Sequence, residues 1–533
     1  MQKKISESSS YNLLAVYLIF AFSIFNTFII ARLLAPEEWA VIILIFSFVN
    51  IAIFFCSLFP PNAEDTMKYY IPSLSSNDND INFKKRKFIF HVYKIRLLTS
   101  LLVFFTYLII SYLANFDEII MRIILIMAPI ILANILITLN TSVLFAFQKF
   151  KLVFIALVLS PIIVITCNIS IFLLGFKNPI YLIAISYLLG SVIACILSTI
   201  IVIPLIPSKQ NKVTELASYR KEFIDIHRKY GTYLIIANIF NQLSILIINL
   251  IFLNAGLIVL ITYLTICQIS VASALYFSSS NPKSYISIFS EINYEKNREY
   301  FNKLFYKLSI FLILLNCFIM ALMLFYIELY IVVIYSEQYL IILYAIQLFL
   351  FTTFARVIIR NLMILSMSTK HTEINAIIAF IEMIVNVILT FIAILYFNFY
   401  ILIIFFIISS YIMTLIMFII TKRNLDIKLG LIDFFKPFIL FLFGFLITIY
   451  ISNFFYIQIS NKAYINFILN GTIRFSIFIT IFYITIYFTK LITKEDFDQL
   501  VEIIPILNSE KKIIKILVNT TKKLLPSKKR LKS

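Results

Sequence analysis

Runs of about twenty apolar residues recur fourteen times along this 533-residue chain with only short polar breaks between them, and that recurrence leaves few architectures open. The hydrocarbon core of a bilayer is ~30 Å thick, a distance an α-helix covers in about 20 residues. Inside that core every backbone N–H and C=O must be satisfied within the segment, which a helix does by itself. The chain is therefore expected to fold as an all-α polytopic membrane protein. The runs cover residues 12–31, 40–60, 97–114, 119–147, 152–174, 180–206, 231–253, 255–279, 308–327, 339–366, 372–397, 399–420, 437–457 and 466–489. Composition agrees, because only 13% of residues are charged where soluble domains carry about 25%. The first run follows two lysines and lacks a small-residue cleavage motif behind it, so it reads as an uncleaved first span and not as a secretory signal.

A net charge of +19 raises the question of a nucleic-acid partner, and the distribution of the basic residues answers it. Of 45 Lys and Arg, 38 fall at even-numbered junctions and the two termini, four at odd-numbered junctions (Arg32, Arg122, Lys177, Lys462) and three within runs (Arg356, Arg360, Arg474). That bias is the mark of cytoplasmic loops, so both termini are expected in the cytoplasm, the protein in the cytoplasmic membrane, and the charge serves orientation, with no nucleic-acid partner. A count wrong by one span would scramble it.

All five cysteines (Cys56, Cys167, Cys195, Cys267, Cys317) lie inside runs without paired or ligand spacing, which implies neither a disulfide framework nor a metal site. His91, His227 and His371 are scattered over cytoplasmic segments, and there is no P-loop or Gly-rich phosphate cradle. The loop acids Glu64, Asp65, Asp78 and Asp80 suit a solvated loop. Neither an enzyme nor a cofactor is expected.

Organisation follows from the junctions. Outer junctions are minimal turns, such as "NFDE" at 115–118 and "YFNF" at 396–399, and the longer polar stretches are cytoplasmic. "MKYYIPSLS" at 67–75 and "PKSYISIFS" at 282–290 share Lys-x-Tyr-Ile and a later Ser at equivalent places after the second and eighth spans. That match points to a duplication and to parallel halves of the kind transporters use. The expected division is 1–206 (six spans), 207–230 (cytoplasmic linker), 231–422 (six spans), 423–489 (spans thirteen and fourteen) and 490–533, a basic amphipathic tail suited to the anionic inner leaflet.

Ionisable groups in mid-span are the sharpest clue to function, since an arginine at the bilayer centre costs about 2.5–3.5 kcal/mol on insertion scales unless water or a partner relieves it. Arg356 and Arg360 stand one turn apart in the tenth span, 14 and 10 residues before Lys370, while Glu382 stands 12 residues after it in the eleventh, with Asn386 a turn further on. At ~1.5 Å per residue the three charges lie roughly 15–21 Å deep. One glutamate cannot neutralise two arginines, so a positive charge remains beside any ion pair that stitches the two spans together. Such a surplus fits an anionic ligand, since a guanidinium presents a planar fork to phosphate or carboxylate oxygens. Arg474 is a third candidate, as a ligand group or a snorkelling cation. Arg32, at the end of the first span, serves either as an interface anchor or as a ligand group. Lys68, Tyr70, Lys283 and Tyr285 border the cytoplasmic mouth, to meet a phosphate headgroup or to orient the helices.

The stretch "ARLLAPEEWA" at 31–40 resembles the Ala-Arg-x-Leu-Gly-Pro-Glu-Glu-aromatic-Gly hinge of the oligosaccharide flippases. These are the polysaccharide-biosynthesis branch of the multidrug/oligosaccharidyl-lipid/polysaccharide exporter superfamily, which also holds multidrug and toxic-compound exporters and lipid II flippases. Both glycines of the hinge are alanine here (Ala35, Ala40). "NLIFLNAGLIVLITYLTICQIS" (249–270), "IEMIVNVILTFIAILYFNFY" (381–400) and "LITKEDFDQLVEIIP" (491–505) are similar to the branch's seventh-to-eighth hairpin, eleventh span and tail. The resemblance implies a flippase that carries a prenyl-diphosphate-linked oligosaccharide across the membrane by alternating access. Its partners would be that lipid-linked glycan, membrane lipids and the glycosyltransferases or polymerase of the same pathway. Where members of the branch often carry an acid and a base in the seventh span, this chain has Asn249 and Leu250. No cation-coupling site in that span is implied, and Glu382 remains the candidate coupling or ion-pair group. Three other functions stay open: a lipid II-type flippase with similar charge needs, a small-molecule or drug exporter, which would want an anionic cavity, and a non-transporting scaffold, which has no need of buried arginines.

Overall fold

A computed structural model describes residues 2–59, 81–207, 216–279, 298–369, 371–396, 398–425, 430–452 and 463–489, with scattered positions in the loop after the second helix and in the tail. The described residues form seventeen α-helices: α1 (Gln2–Leu33), α2 (Pro36–Cys56), α3 (Ile81–Leu113), α4 (Glu118–Met127), α5 (Pro129–Ala146), α6 (Phe150–Leu174), α7 (Pro179–Val202), α8 (Leu216–Asn254), α9 (Val259–Ser279), α10 (Arg298–Phe325), α11 (Ile327–Ile334), α12 (Leu343–Leu350), α13 (Thr352–Ser368), α14 (Glu373–Leu395), α15 (Phe399–Leu425), α16 (Leu431–Ser452) and α17 (Ala463–Thr489). Among the described residues eleven helices are long and apolar enough to cross a bilayer, and the pair around Phe351, bent by 42°, makes a twelfth when read as one span. The two remaining apolar runs are the shorter helices Tyr17–Leu33 and Val259–Leu275.

Local chemistry sets the helix ends. The hinge between α1 and α2 places Ala35 in an extended conformation and Pro36 at the first helical position, and the Glu38 carboxylate accepts the Ala35 N–H at 3.2 Å. Proline has no N–H to orphan at that position, and the two acids face the positive end of the helix dipole. Helix α6 stops at Gly175, whose φ of +64° an L side chain rarely adopts. One junction that the sequence reading assigns to the outer side departs from the minimal turns expected there. Between α10 and α12 the chain builds α11 and a 3-10 turn (Glu337–Ile342), where Tyr335 and Tyr339 are fully buried and meet edge-on in series with Tyr330.

The chain divides into two compact units that do not follow chain order. The first is Met1–Leu264 with Asn375–Leu395; the second is Thr265–Ile374 with Tyr396–Ser533. Helices α8 and α14 thus group with α1–α7. In the first unit, Ile51 of α2 packs with Ile235, Ile239 and Leu246 of α8, and Ala237 of α8 with Ala376 and Ala379 of α14. Lipid tails are as apolar as leucine, so contact between spans has to come from close backbone approach and hydrogen bonds. Gly190 supplies the first: a Cβ there would lie 2.5 Å from Val164 Cγ2 and 3.1 Å from the Ser160 carbonyl.

The second is supplied by two buried polar networks. Asn168 Nδ2 donates to Asn26 Oδ1 at 2.7 Å, Asn26 Nδ2 to the Tyr187 hydroxyl at 2.8 Å and Ser186 Oγ to Asn168 Oδ1 at 2.7 Å, tying α1, α6 and α7 together. Tyr93 donates to Asn140 Oδ1 at 2.6 Å, and Asn140 Nδ2 reaches Ser198 and Thr199 at 2.9 Å, joining α3, α5 and α7. Asn168→Leu removes two interhelical bonds and leaves Asn26 Oδ1 without its donor. With such bonds averaging ~0.6 kcal/mol and an orphaned partner adding to the loss, the variant is expected to lose about 1–2 kcal/mol in reversible unfolding in mixed micelles.

In the second unit α10 is the most buried of the long apolar helices and α17 the least. The centre is aromatic: Phe441 and Phe478 are fully buried, with ring centroids 5.6 Å apart, and Phe325 stacks against Phe445 at 5.3 Å. Such offset and edge-on pairs add about 0.5–1.5 kcal/mol each beyond area burial.

Candidate functional site

Helix α13 carries Arg356 and Arg360 just beyond the bend at Phe351. From Thr352 to Ser366 every position is buried except Arg356, Arg360 and Met363, and half-buried Met367 continues the series. These positions are four, three and four residues apart, a single stripe on the helix. Both arginines therefore occupy the one face of α13 that the bundle leaves partly open. The Arg356 guanidinium lies 5.8 Å from the centroid of Phe349, within reach of a cation–π contact.

Glu382 and Asn386 lie on α14 in the first unit, half-buried and one turn apart. At 100° per residue they occupy the side opposite the exposed apolar stripe of Ile377, Phe380, Ile384, Ile388, Phe391 and Leu395. Their side of α14 is the one turned from the apolar stripe.

Arg474 is half-buried on α17. It stands one turn from Phe478, on the side that packs on α10 and α16, whereas Thr472, Ser476 and Thr480 hold the exposed side. Arg32 donates Nη1 to the Phe28 carbonyl at 3.0 Å, and its guanidinium carbon lies 3.8 Å from the centroid of the Phe28 ring. It closes the last turn of its own helix, where a cation offsets the negative end of the dipole. Lys68, Tyr70, Lys283 and Tyr285 lie outside the described residues, as does most of the tail.

The structure adds one cation that the sequence reading placed in a cytoplasmic loop. Arg96 has no exposed surface, and its Nη1 donates to the carbonyls of Cys56 and, at 3.4 Å, Phe59, at the C-terminal end of α2. The run 97–114 is near the short end of what a span needs, and helix α3 begins earlier and takes Arg96 in with it. Asn249, where the branch often has an acid, is buried and donates to Ser47 Oγ at 2.9 Å, so its amide links α8 to α2.

Among the described residues no group of three His, Cys, Asp or Glu could hold a metal ion. No family model and no curated protein matches the chain. Solved structures do. The lipid II flippase MurJ in an inward closed conformation has a TM-score of 0.62 at 17% identity, over 89% of this chain and 98% of that one. An inward-facing multidrug resistance MATE family transporter of the MOP superfamily scores 0.55 at 14% identity, over 76% and 94%. MATE in complex with MaL6 scores 0.57 at 13% identity, over 79% and 95%. At these identities the likeness is one of architecture: the chain has the polytopic helical membrane fold shared by MATE transporters and the lipid II flippase MurJ.

Proposed function

We propose that the protein is a flippase that moves a prenyl-diphosphate-linked oligosaccharide from the inner to the outer leaflet of the cytoplasmic membrane by alternating access. One observation carries the reading: two arginines share the single half-open stripe of the otherwise buried helix α13, in a fold that flippases and transporters use. A cation kept in mid-membrane needs a compensating anion or water, and a diphosphate can accept charge-assisted bonds from both guanidinium forks. A small cationic drug would be repelled by the same stripe. Arg474, Arg32 and Asn386 are further candidate contacts to the substrate, and Glu382 is the candidate coupling or ion-pair group. Lys68, Tyr70, Lys283 and Tyr285 would meet the headgroup at the cytoplasmic mouth. A lipid II-type flippase is the second reading, favoured by the MurJ likeness over 98% of that chain.

The test is the sidedness of lipid-linked glycans in host cells with and without the protein. An intact glycan lipid accumulating on the cytoplasmic side after its loss supports the proposal, and its mass separates a polysaccharide repeat unit from lipid II. Unchanged lipid-linked glycans together with altered drug sensitivity would replace the flippase with an exporter.

A further inference from the structure

The bend in the tenth span has an identifiable chemical cause within the second unit. Neither proline nor glycine occurs between Glu337 and Met367. Sharp kinks in such helices arise where a side chain inserts into the i→i−4 ladder. Here the Phe351 N–H closes on the Leu348 carbonyl at 3.1 Å, a tighter turn than the α-helix allows, and Thr352 Oγ1 donates to the Phe349 carbonyl at 2.7 Å. From α15, the Tyr411 hydroxyl donates to the Phe351 carbonyl at 3.1 Å, and Thr414 Oγ1, which donates to its own Ser410 carbonyl at 2.7 Å, shares that proton with the Ala355 carbonyl at 3.3 Å. Tyr411 and Thr414 stand three residues apart, on one face of α15, and their two acceptors stand four apart across the break. Phe438 of α16 stacks on Phe354 at 4.2 Å and lies 6.2 Å from Tyr411, so the hydroxyls work in an apolar surround where their bonds are not shared with water.

We propose that Tyr411 and Thr414 are positioning residues: their hydroxyls latch the tenth span in its bent form, and the bend sets the direction in which Arg356 and Arg360 are presented. The latch stands on the geometry alone; its consequence for the arginines rests on their reading as diphosphate-binding groups. The lever is long enough to matter. Arg360 is nine residues past Phe351, about 13 Å along the axis, so straightening a 42° bend would displace it by roughly 10 Å relative to α12. That is several times the tolerance of a hydrogen bond.

The experiment uses full-length protein in lipid nanodiscs with its five cysteines replaced by alanine and spin labels at Ile341 and Met367, on either side of the bend. Tyr411→Phe with Thr414→Val removes both hydroxyls and little volume. The mean label distance is expected to lengthen by about 2–3 Å as the span straightens. Binding of farnesyl diphosphate, a soluble probe with a prenyl chain and a diphosphate, is expected to weaken about tenfold, the loss of about one guanidinium contact as the arginines turn away. Returning one hydroxyl with Thr414→Ser in the Tyr411→Phe background should recover part of both. An unchanged distance overturns the latch. A longer distance with unchanged farnesyl diphosphate affinity overturns its role in presenting the arginines. If Arg356→Gln with Arg360→Gln leaves farnesyl diphosphate binding intact, the diphosphate reading has failed, and the label distance still decides the latch by itself.

Discussion

Replacing both Arg356 and Arg360 with glutamine is expected to abolish translocation of a fluorescent prenyl-diphosphate oligosaccharide in proteoliposomes, by about 100-fold or more. Each guanidinium bond to a phosphate oxygen contributes about 1.5–3 kcal/mol, so two lost contacts sum to several kcal/mol, and 1.4 kcal/mol is a factor of ten in rate or affinity. Insertion should survive, because removing two cations from a buried span lowers the cost of placing it in the bilayer. The lysine pair, Arg356→Lys with Arg360→Lys, keeps the charge and loses the planar fork, and is expected to recover only part of the rate. Near-normal translocation by the glutamine pair, with the protein correctly inserted, would take α13 out of the substrate path.

Arg96→Gln is expected to be the most destabilising single change in the first unit, with a loss of about 3 kcal/mol and a melting temperature in detergent lower by several degrees. The guanidinium is sealed from solvent and donates to two carbonyls at the end of α2 that have no intrahelical partner. Bonds from a charged donor contribute more than neutral ones, and here the charge also faces the negative end of the helix dipole. Arg96→Lys should recover less than half, since the shorter lysine side chain stops short of the Nη1 position from which both carbonyls are reached. A melting curve unchanged by Arg96→Gln would mean that the C-terminal end of α2 is held by the apolar contacts of its neighbours.

The two changes separate function from stability, and the same separation runs through the buried polar groups. Asn26, Asn140 and Asn168 spend their amides on neighbouring spans within the first unit, as does Asn249 on Ser47. They hold helices together where apolar contact has no driving force against lipid. The two arginines of α13 differ in lying on a stripe that the bundle leaves half open.

Much of this architecture was legible in the chain itself. Each apolar run corresponds to a helix or, in the fourth and tenth runs, to a pair of successive helices, because the free energy of moving a segment into lipid is close to a sum over its own residues and needs no knowledge of what it will touch. The Pro36, Glu37 and Glu38 hinge was equally readable, since a helix start is set within four or five residues. The same local rule placed Arg356 and Arg360 on one face. What the sequence could not supply was partnership. That α8 and α14 group with α1–α7, that Arg96 reaches back forty residues to cap α2, and that the Tyr411 hydroxyl meets the Phe351 carbonyl sixty residues away all depend on which surfaces meet after the spans are formed. Those meetings are decided by shape and by single hydrogen bonds between residues far apart in the chain, which leave no period in a sequence. The tertiary structure alone reveals them.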